Sequence, residues 1–91
     1  MILAEDRKTS RFKGTIEEPG GRSSTEVIAW AFSLMSAKGV IKRAYNKKTN
    51  RMPEAYLKVS VRLSPASKEG EIVPDDDRCH VFHKGERWPI S

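Results

Sequence analysis

The segment from Val40 to Leu63 constrains the fold of this chain more than any other stretch. Its second half, residues 55–63, places apolar side chains at every second position with polar ones between them. Successive side chains of a strand point to opposite faces, so this alternation predicts a half-buried strand with a polar outer surface. We interpret Val40–Tyr45 as a partner strand and the polar residues 46–54 as the loop of a long β-hairpin.

Positive charge is concentrated on the same segment. From Lys38 to Arg62 there are eight lysines and arginines and one acid, Glu54, a local net charge of +7 in a chain whose total is +5. Long cationic side chains around a projecting turn can neutralise phosphates and release their counterions. We therefore expect a nucleic-acid interface here, with Tyr56 stacking on a base. The expected phosphate contacts are Lys42, Arg43, Lys47, Lys48, Arg51, Lys58 and Arg62.

Two other interpretations of this surface stay open. A basic strand face can simply keep a sheet edge solvated and so prevent aggregation, or it can dock on an acidic surface of a protein partner. The near absence of acids favours a polyanion, because a surface that is only solvated normally mixes both signs. Tyr45 is a weaker stacking candidate than Tyr56. In a strand at Val40–Tyr45 neither face would be purely apolar, so the sequence does not show whether Tyr45 lies in the core or on the outer face.

Ser24–Lys38 has the clearest helical pattern. Ser23 and Glu26 have the spacing of a capping box, and Gly39 lies where a glycine often ends a helix. The body of the segment, residues 27–37, is apolar almost all round, whereas a surface helix has one polar face. We therefore expect a homodimer that covers the helix, with a core helix of a monomer as the alternative. The expected dimer contacts are Trp30, Phe32, Leu34 and Met35.

The other elements are short. Arg11–Glu17 and Arg78–His83 predict strands, Glu71–Val73 a shorter one, and Arg87–Ile90 an edge segment. Residues 1–10 are expected to form a flexible N-terminal arm of a single domain that spans residues 1–91. The expected fold class is α+β, with one central apolar helix packed on a small antiparallel sheet of about four to five strands that includes the long basic β-hairpin.

The composition indicates a soluble cytoplasmic protein. Cys79 is the one cysteine and cannot form an intramolecular disulfide, which fits a reducing compartment. No apolar run approaches the roughly 18 residues of a membrane span. The first residues reach Glu5 and Asp6 too early for a signal peptide. We expect no membrane partner and no cofactor.

One pattern resembles a metal site: Cys79-His80-x-x-His83, downstream of Asp75–Asp77. Thiolate, imidazole and carboxylate all bind zinc, but a structural site usually needs two ligand pairs, and there is no second cysteine. On a strand, Cys79 and His83 share one face while His80 points to the other. We therefore expect no metal, only a half-buried cysteine, two polar histidines and a solvated acidic turn, with an incomplete zinc site as the alternative.

No nucleophile motif or phosphate-binding loop is present, so we expect no enzymatic activity. The main interpretation is a small protein that binds DNA or RNA through the hairpin at residues 40–63. The first alternative is an inhibitor or adaptor that docks on an acidic protein partner. The second is a small basic ribonuclease with His80 or His83 as its base.

Overall fold

The computed structural model of the protein describes residues 8–17, 24–49 and 57–90, and within them it has five strands and one helix. All neighbouring strands are antiparallel, in the order β3-β1-β2-β4-β5. One helix packed on a small antiparallel sheet confirms the predicted α+β class. The elements are β1 (Ser10–Glu17), β2 (Ser24–Ala31), α1 (Leu34–Thr49), β3 (Lys58–Leu63), β4 (His80–His83) and β5 (Glu86–Arg87).

The core lies between α1 and one face of the sheet. Because β1 is antiparallel to both β2 and β3, those two strands are parallel to each other, and the chain containing α1 crosses from one to the other. Gly14 of β1 lets the helix approach closely, since a Cβ there would collide with Cδ1 of Ile41. The buried apolar residues include Phe12, Ile16, Val27, Ala29, Val40, Ile41, Ala44, Val59 and Val81.

The opposite face of the sheet is covered at one end by the connection between β3 and β4. This connection, residues 64–79, is here called the strap. Arg11 of β1 holds it, because its guanidinium hydrogen-bonds to Ser64 and forms an ion pair with Glu71. The Arg11 side chain is only 5% exposed, so the strap buries this end of the sheet.

The prediction of a helix at Ser24–Lys38 is wrong, because its first half is β2 and α1 begins at Leu34. Along β2 the buried residues Val27, Ala29 and Ala31 alternate with partly buried ones. A strand with both faces covered has a nearly continuous apolar sequence, which periodicity alone does not separate from a buried helix. Ser23, the predicted cap, lies outside the described residues.

The actual start of the helix is marked by Ser33. Its Oγ accepts a hydrogen bond from the backbone N–H of Ser36 at 3.1 Å, and its carbonyl accepts one from the N–H of Ala37 at 2.9 Å. A side-chain oxygen that satisfies a free N–H of the first turn is typical of an N-cap serine. Gly39, expected to end a helix, lies inside this one.

The prediction of a strand at Val40–Tyr45 is also wrong, because these residues lie within α1. Positions 40, 41, 44 and 45 are buried, while Lys42 and Arg43 between them are exposed. Pairs of inward residues separated by a pair of outward residues are typical of a helix. This pattern explains why, when the segment was interpreted as a strand, neither of its two faces was purely apolar. The first half of the predicted long basic hairpin is therefore helical, and only its second half is a strand.

The remaining strand predictions have mixed outcomes. The strands expected at residues 11–17 and 78–83 are confirmed as β1 and β4, the latter with shorter bounds. The strand expected at residues 55–63 is confirmed as β3 over Lys58–Leu63, while residues 55 and 56 lie outside the described residues. The strand expected at residues 71–73 is not formed, because this stretch belongs to the strap. In the part of the chain that is described, no helix is long and apolar enough to cross a membrane.

The case for a homodimer depended on the incorrect helix at residues 24–38. Trp30 instead lies in β2 and Phe32 in the bend that follows, while Leu34 and Met35 begin α1. Leu34 is 51% exposed and Met35 is 84% exposed. These four residues do not share a helix face, so the original reason for a dimer is lost and dimerisation stays a prediction.

Candidate nucleic-acid interface

Cations cover the outward side of α1. The helix contains five lysines and arginines and no acid. Four of them are exposed outside the buried side of the helix: Lys42 and Arg43 point away from the sheet, and Lys38 and Lys47, half a turn apart around the axis, flank them. Nine positions separate the first and last of these four, which is about 13 Å along a helix axis. We call this surface the helix cation face; it consists of Lys38, Lys42, Arg43 and Lys47.

The fifth helix cation, Lys48, points towards β5 instead. Its Nζ lies 2.7 Å from Oε1 of Glu86, and this hydrogen bond lowers the pKa of the Glu86 carboxyl. The pair is exposed, so its contribution to stability is small. Its charge is locally balanced, which distinguishes Lys48 from the helix cation face.

The predicted phosphate contacts are divided between the two faces of the sheet. Lys42, Arg43 and Lys47 lie on the helix side. Lys58 and Arg62 lie on β3 and point to the opposite side, since their cross-strand neighbours in β1 are Glu17 and Lys13, whereas the intervening Val59 faces the core. The structure therefore does not bring the predicted set together on one surface.

The tyrosines do not supply an aromatic platform within the described residues. Tyr45 is buried in the core, where its ring centroid lies 6.1 Å from that of Trp88. It is therefore not available to stack on a base. Tyr56 and Arg51 lie outside the described residues.

The face of the sheet opposite α1 carries a groove. Its apolar floor is formed by Ile28 of β2 and Phe82 of β4, which are cross-strand neighbours. The central cavity of the groove has a volume of about 800 Å³, and it shares lining residues with two smaller cavities of about 340 and 460 Å³. The cations that line the central cavity are Arg11, Lys13, Arg62, Lys68 and Lys84.

Some of these charges are balanced and others are not. Arg11 is paired with Glu71, and Nζ of Lys13 lies 3.3 Å from Oε2 of Glu26. Within the described residues, Arg62, Lys68 and Lys84 form no ion pair. The groove therefore has a net positive charge around an apolar floor.

The two histidines point to opposite faces of β4, as predicted. His80 is buried, and its Nε2 lies 2.7 Å from Oδ1 of Asp76; this hydrogen bond is the main cause of the lowered pKa of Asp76. His83 packs on Trp88 with ring centroids 5.3 Å apart. The two imidazoles do not share a site. Among the described residues, no group of three or more His, Cys, Asp and Glu side chains could hold a metal ion.

Several cations of these surfaces were not among the predicted site residues. Lys38 was assigned to the end of the incorrect helix. Lys13 could have been predicted to be outward-facing, because it lies at one of the polar positions that alternate with apolar ones along β1. The positions of Lys68 and Lys84 at the groove could not have been predicted from the sequence, since they depend on the path of the strap and of the turn after β4.

The chain matches no protein-family model, no curated protein and no solved structure. Its function is therefore inferred from two surfaces on opposite faces of the sheet, the helix cation face and the groove.

Proposed function

We propose that the protein binds nucleic acid in the cytoplasm through the helix cation face and performs no chemistry on it. Lys38, Lys42, Arg43 and Lys47 contact phosphates of a duplex. The observation that carries the proposal is that these four exposed cations stand on a helix that contains no acid. Lys58 and Arg62, on the other face, have no part in this contact.

The packing of α1 supports this role. The helix lies against β1, β2 and β3, so its backbone is held in place before a ligand arrives. Four side chains over about 13 Å can reach several successive phosphates, and each contact releases counterions. Contacts of this kind position a protein on nucleic acid without reading its sequence. The proposed binding is therefore independent of the nucleotide sequence and strongly dependent on the salt concentration.

A second candidate function is docking on an acidic protein partner. The observation that favours it is Met35, which is 84% exposed and precedes Lys38 by three residues and Lys42 by seven, so all three lie on one side of the helix. Phosphate contacts do not need an exposed apolar side chain, whereas the core of a protein interface is enriched in methionine. A substitution of Met35 therefore distinguishes binding of nucleic acid from docking on a protein partner.

The test is binding of labelled duplex DNA and duplex RNA by the wild type and by the variant Lys42→Glu/Arg43→Glu. The matched control is Lys58→Glu/Arg87→Glu, which changes the net charge equally, with one lysine and one arginine that are exposed on the opposite face of the sheet. We expect the helix variant to bind duplex much more weakly than the wild type and the control to keep most of the affinity. Equal losses in both variants would mean that only net charge matters.

Met35→Ala completes the test. If nucleic acid is the ligand, this variant binds duplex as the wild type does. If an acidic protein is the partner, the wild type fails to bind duplex, and a partner captured by the wild type is lost from Met35→Ala. The unfolding temperatures of all variants show whether any loss of binding comes from loss of the fold.

A further inference from the structure

We infer that the groove opposite α1 is a second binding site, and that its ligand is single-stranded nucleic acid. Its phosphates would contact Lys13, Arg62 and Lys84, and a base would lie on Ile28, which is partly buried, beside the buried Phe82. The inference rests on the proposed nucleic-acid function but uses residues on the opposite face of the sheet. The two proposals can therefore fail separately.

The arrangement of charge across the strands is the first reason. Arg62 of β3 and Lys13 of β1 are direct cross-strand neighbours on the same face. Like charges at such positions destabilise a sheet. Glu26 balances only Lys13, at 3.3 Å, and Arg62 has no ion pair in the described part of the chain. An anion bound at Arg62 would relieve this repulsion.

The order of residues along one row of the sheet is the second reason. Arg62, Lys13, Ile28 and Phe82 are successive neighbours across β3, β1, β2 and β4. With strands about 4.8 Å apart, these four positions span about 14 Å, with charge at the β3 end and the apolar floor on β2 and β4. The row continues beyond Phe82 to Arg87 of β5. A nucleotide has the same division, since its phosphate is charged and its base is a flat ring.

The continuity of the groove favours a polymer over a small molecule. The central cavity shares Lys13, Glu26 and Arg62 with the cavity towards Ser60, and it shares Ile28, Lys68, Glu71, Phe82 and Lys84 with the cavity at the β4–β5 turn. The groove therefore continues past the central cavity at both ends. A single strand can follow such a path and be held through both its phosphates and its bases.

The backbone at Lys84 is the third reason. Lys84 has φ 49° and Gly85 has φ 81°, and these two residues join β4 to β5. A two-residue hairpin loop with positive φ at both positions favours Asn-Gly, because other L-residues are strained there. A lysine at this position places a cation on the wall of the groove. Strain at an observed outlier of this kind is often associated with a binding role.

The experiment uses the full chain and a single-stranded oligodeoxythymidylate of about eight nucleotides, followed by amide NMR shifts and by fluorescence anisotropy. The test variant is Arg62→Gln and its matched control is Lys58→Gln, on the same strand and the same face but outside the groove. Lys84→Gln is the second test variant, since it lies in a turn and removes only the charge. An oligoglutamate of similar charge tests the alternative of an acidic peptide.

We expect the oligonucleotide to shift the amides of Lys13, Ile28 and Phe82. Arg62→Gln should weaken binding of the single strand by about tenfold, while Lys58→Gln should leave it within about twofold of the wild type. Shifts confined to α1, equal effects of Arg62→Gln and Lys58→Gln, or tighter binding of oligoglutamate than of the oligonucleotide would each overturn the inference. Duplex binding by the variant Lys42→Glu/Arg43→Glu tests the proposed role of the helix cation face separately, because the groove is tested with a single strand.

Discussion

The guanidinium of Arg11 holds both carboxylate oxygens of Glu71, with Nε 2.7 Å from Oε2 and Nη2 2.6 Å from Oε1. The two residues are 60 positions apart in the chain, so this pair fixes the strap across the sheet. Arg11 also donates from Nη1 to the hydroxyl and the carbonyl of Ser64. Each hydrogen bond is donated by a charged guanidinium, and such bonds are stronger than those between neutral groups. The wall of the groove therefore depends on one buried arginine.

Glu71→Gln should destabilise the fold. The change leaves the buried charge of Arg11 without its carboxylate, which costs about 1–3 kcal/mol in the free energy of unfolding. Urea unfolding at neutral pH measures it. Glu69→Gln, an exposed neighbour in the strap, is the control and should change the stability by less than about 0.5 kcal/mol. If the two variants are equally stable, the ion pair does not hold the strap.

The same pair makes stability dependent on pH. Hydrogen bonds from Arg11 lower the pKa of Glu71 from its ordinary value of 4.5. A carboxyl whose pKa is lower in the folded state stabilises the protein fully above its unfolded pKa, and this stabilisation is lost as the pH falls through the folded pKa. Unfolding measured from neutral pH to below about pH 4.5 should therefore show a smaller loss in Glu71→Gln than in the wild type.

The loss in Glu71→Gln should be smaller, not absent. Asp76 and Glu86 also have lowered pKa values, through hydrogen bonds with His80 and Lys48, and they keep the same sign of dependence in both proteins. Identical pH profiles for wild type and Glu71→Gln would contradict a role for the Arg11–Glu71 pair.

Gly39→Ala should stabilise the protein. Gly39 lies inside α1, it is exposed, and an added Cβ would meet nothing within 4 Å. Alanine in a helix interior is more favourable than glycine by about 0.5–1 kcal/mol. Thermal unfolding measures the gain, and because Gly39 would end the predicted helix at residues 24–38, a loss of stability would contradict the observed position of α1.

Gly14→Ala should have the opposite effect on stability. A Cβ at Gly14 would collide with Cδ1 of Ile41, whose side chain is fully buried and so has little room to move away. Overpacking of a core typically costs about 1–3 kcal/mol. We therefore expect the same chemical change to stabilise at position 39 and destabilise at position 14. A neutral result at position 14 would mean that the Ile41 side chain can shift to make room for the Cβ.

Much of the fold could be predicted from the sequence, and the errors have one physical cause. β1 and β3 each have one face on the core and one polar face, so alternation identified them. β2 is buried on its core face and carries the partly buried apolar residues Ile28 and Trp30 on the other, so its alternation was lost, while the paired inward residues of α1 were divided between two strand faces. Local pattern does not show how many sides of an element are covered.

The candidate site was less predictable than the fold. The excess of cations near residues 38–62 was evident from composition, but assigning Val40–Tyr45 to a strand joined Arg43 to Arg62 on one surface, whereas the structure places them on opposite layers. The groove brings together β1, β3, the strap and the β4–β5 turn. Such proximity is set by strand register and by the Arg11–Glu71 pair, neither of which has a local sequence signal.

Lys84→Asn should stabilise the fold and weaken the groove. Asparagine tolerates the positive φ of this position better than lysine, by about 1 kcal/mol. The substitution also removes one of the three groove cations that form no ion pair with any described residue, so binding of a single strand should fall. Thermal unfolding and anisotropy on the same sample measure both changes. A variant that is more stable and binds as tightly as the wild type would exclude Lys84 from the groove site.

The salt dependence of duplex binding tests the helix cation face most directly. Four phosphate contacts correspond to a slope of log Kobs against log salt of about −3.6, and removal of two should reduce it to about −1.8. Anisotropy titrations between about 50 and 200 mM salt give both slopes. We expect Lys42→Glu/Arg43→Glu to show the shallower slope and Lys58→Glu/Arg87→Glu to keep that of the wild type. No duplex binding by the wild type at the lowest salt, or equal slopes for the wild type and the helix variant, would contradict the proposed function.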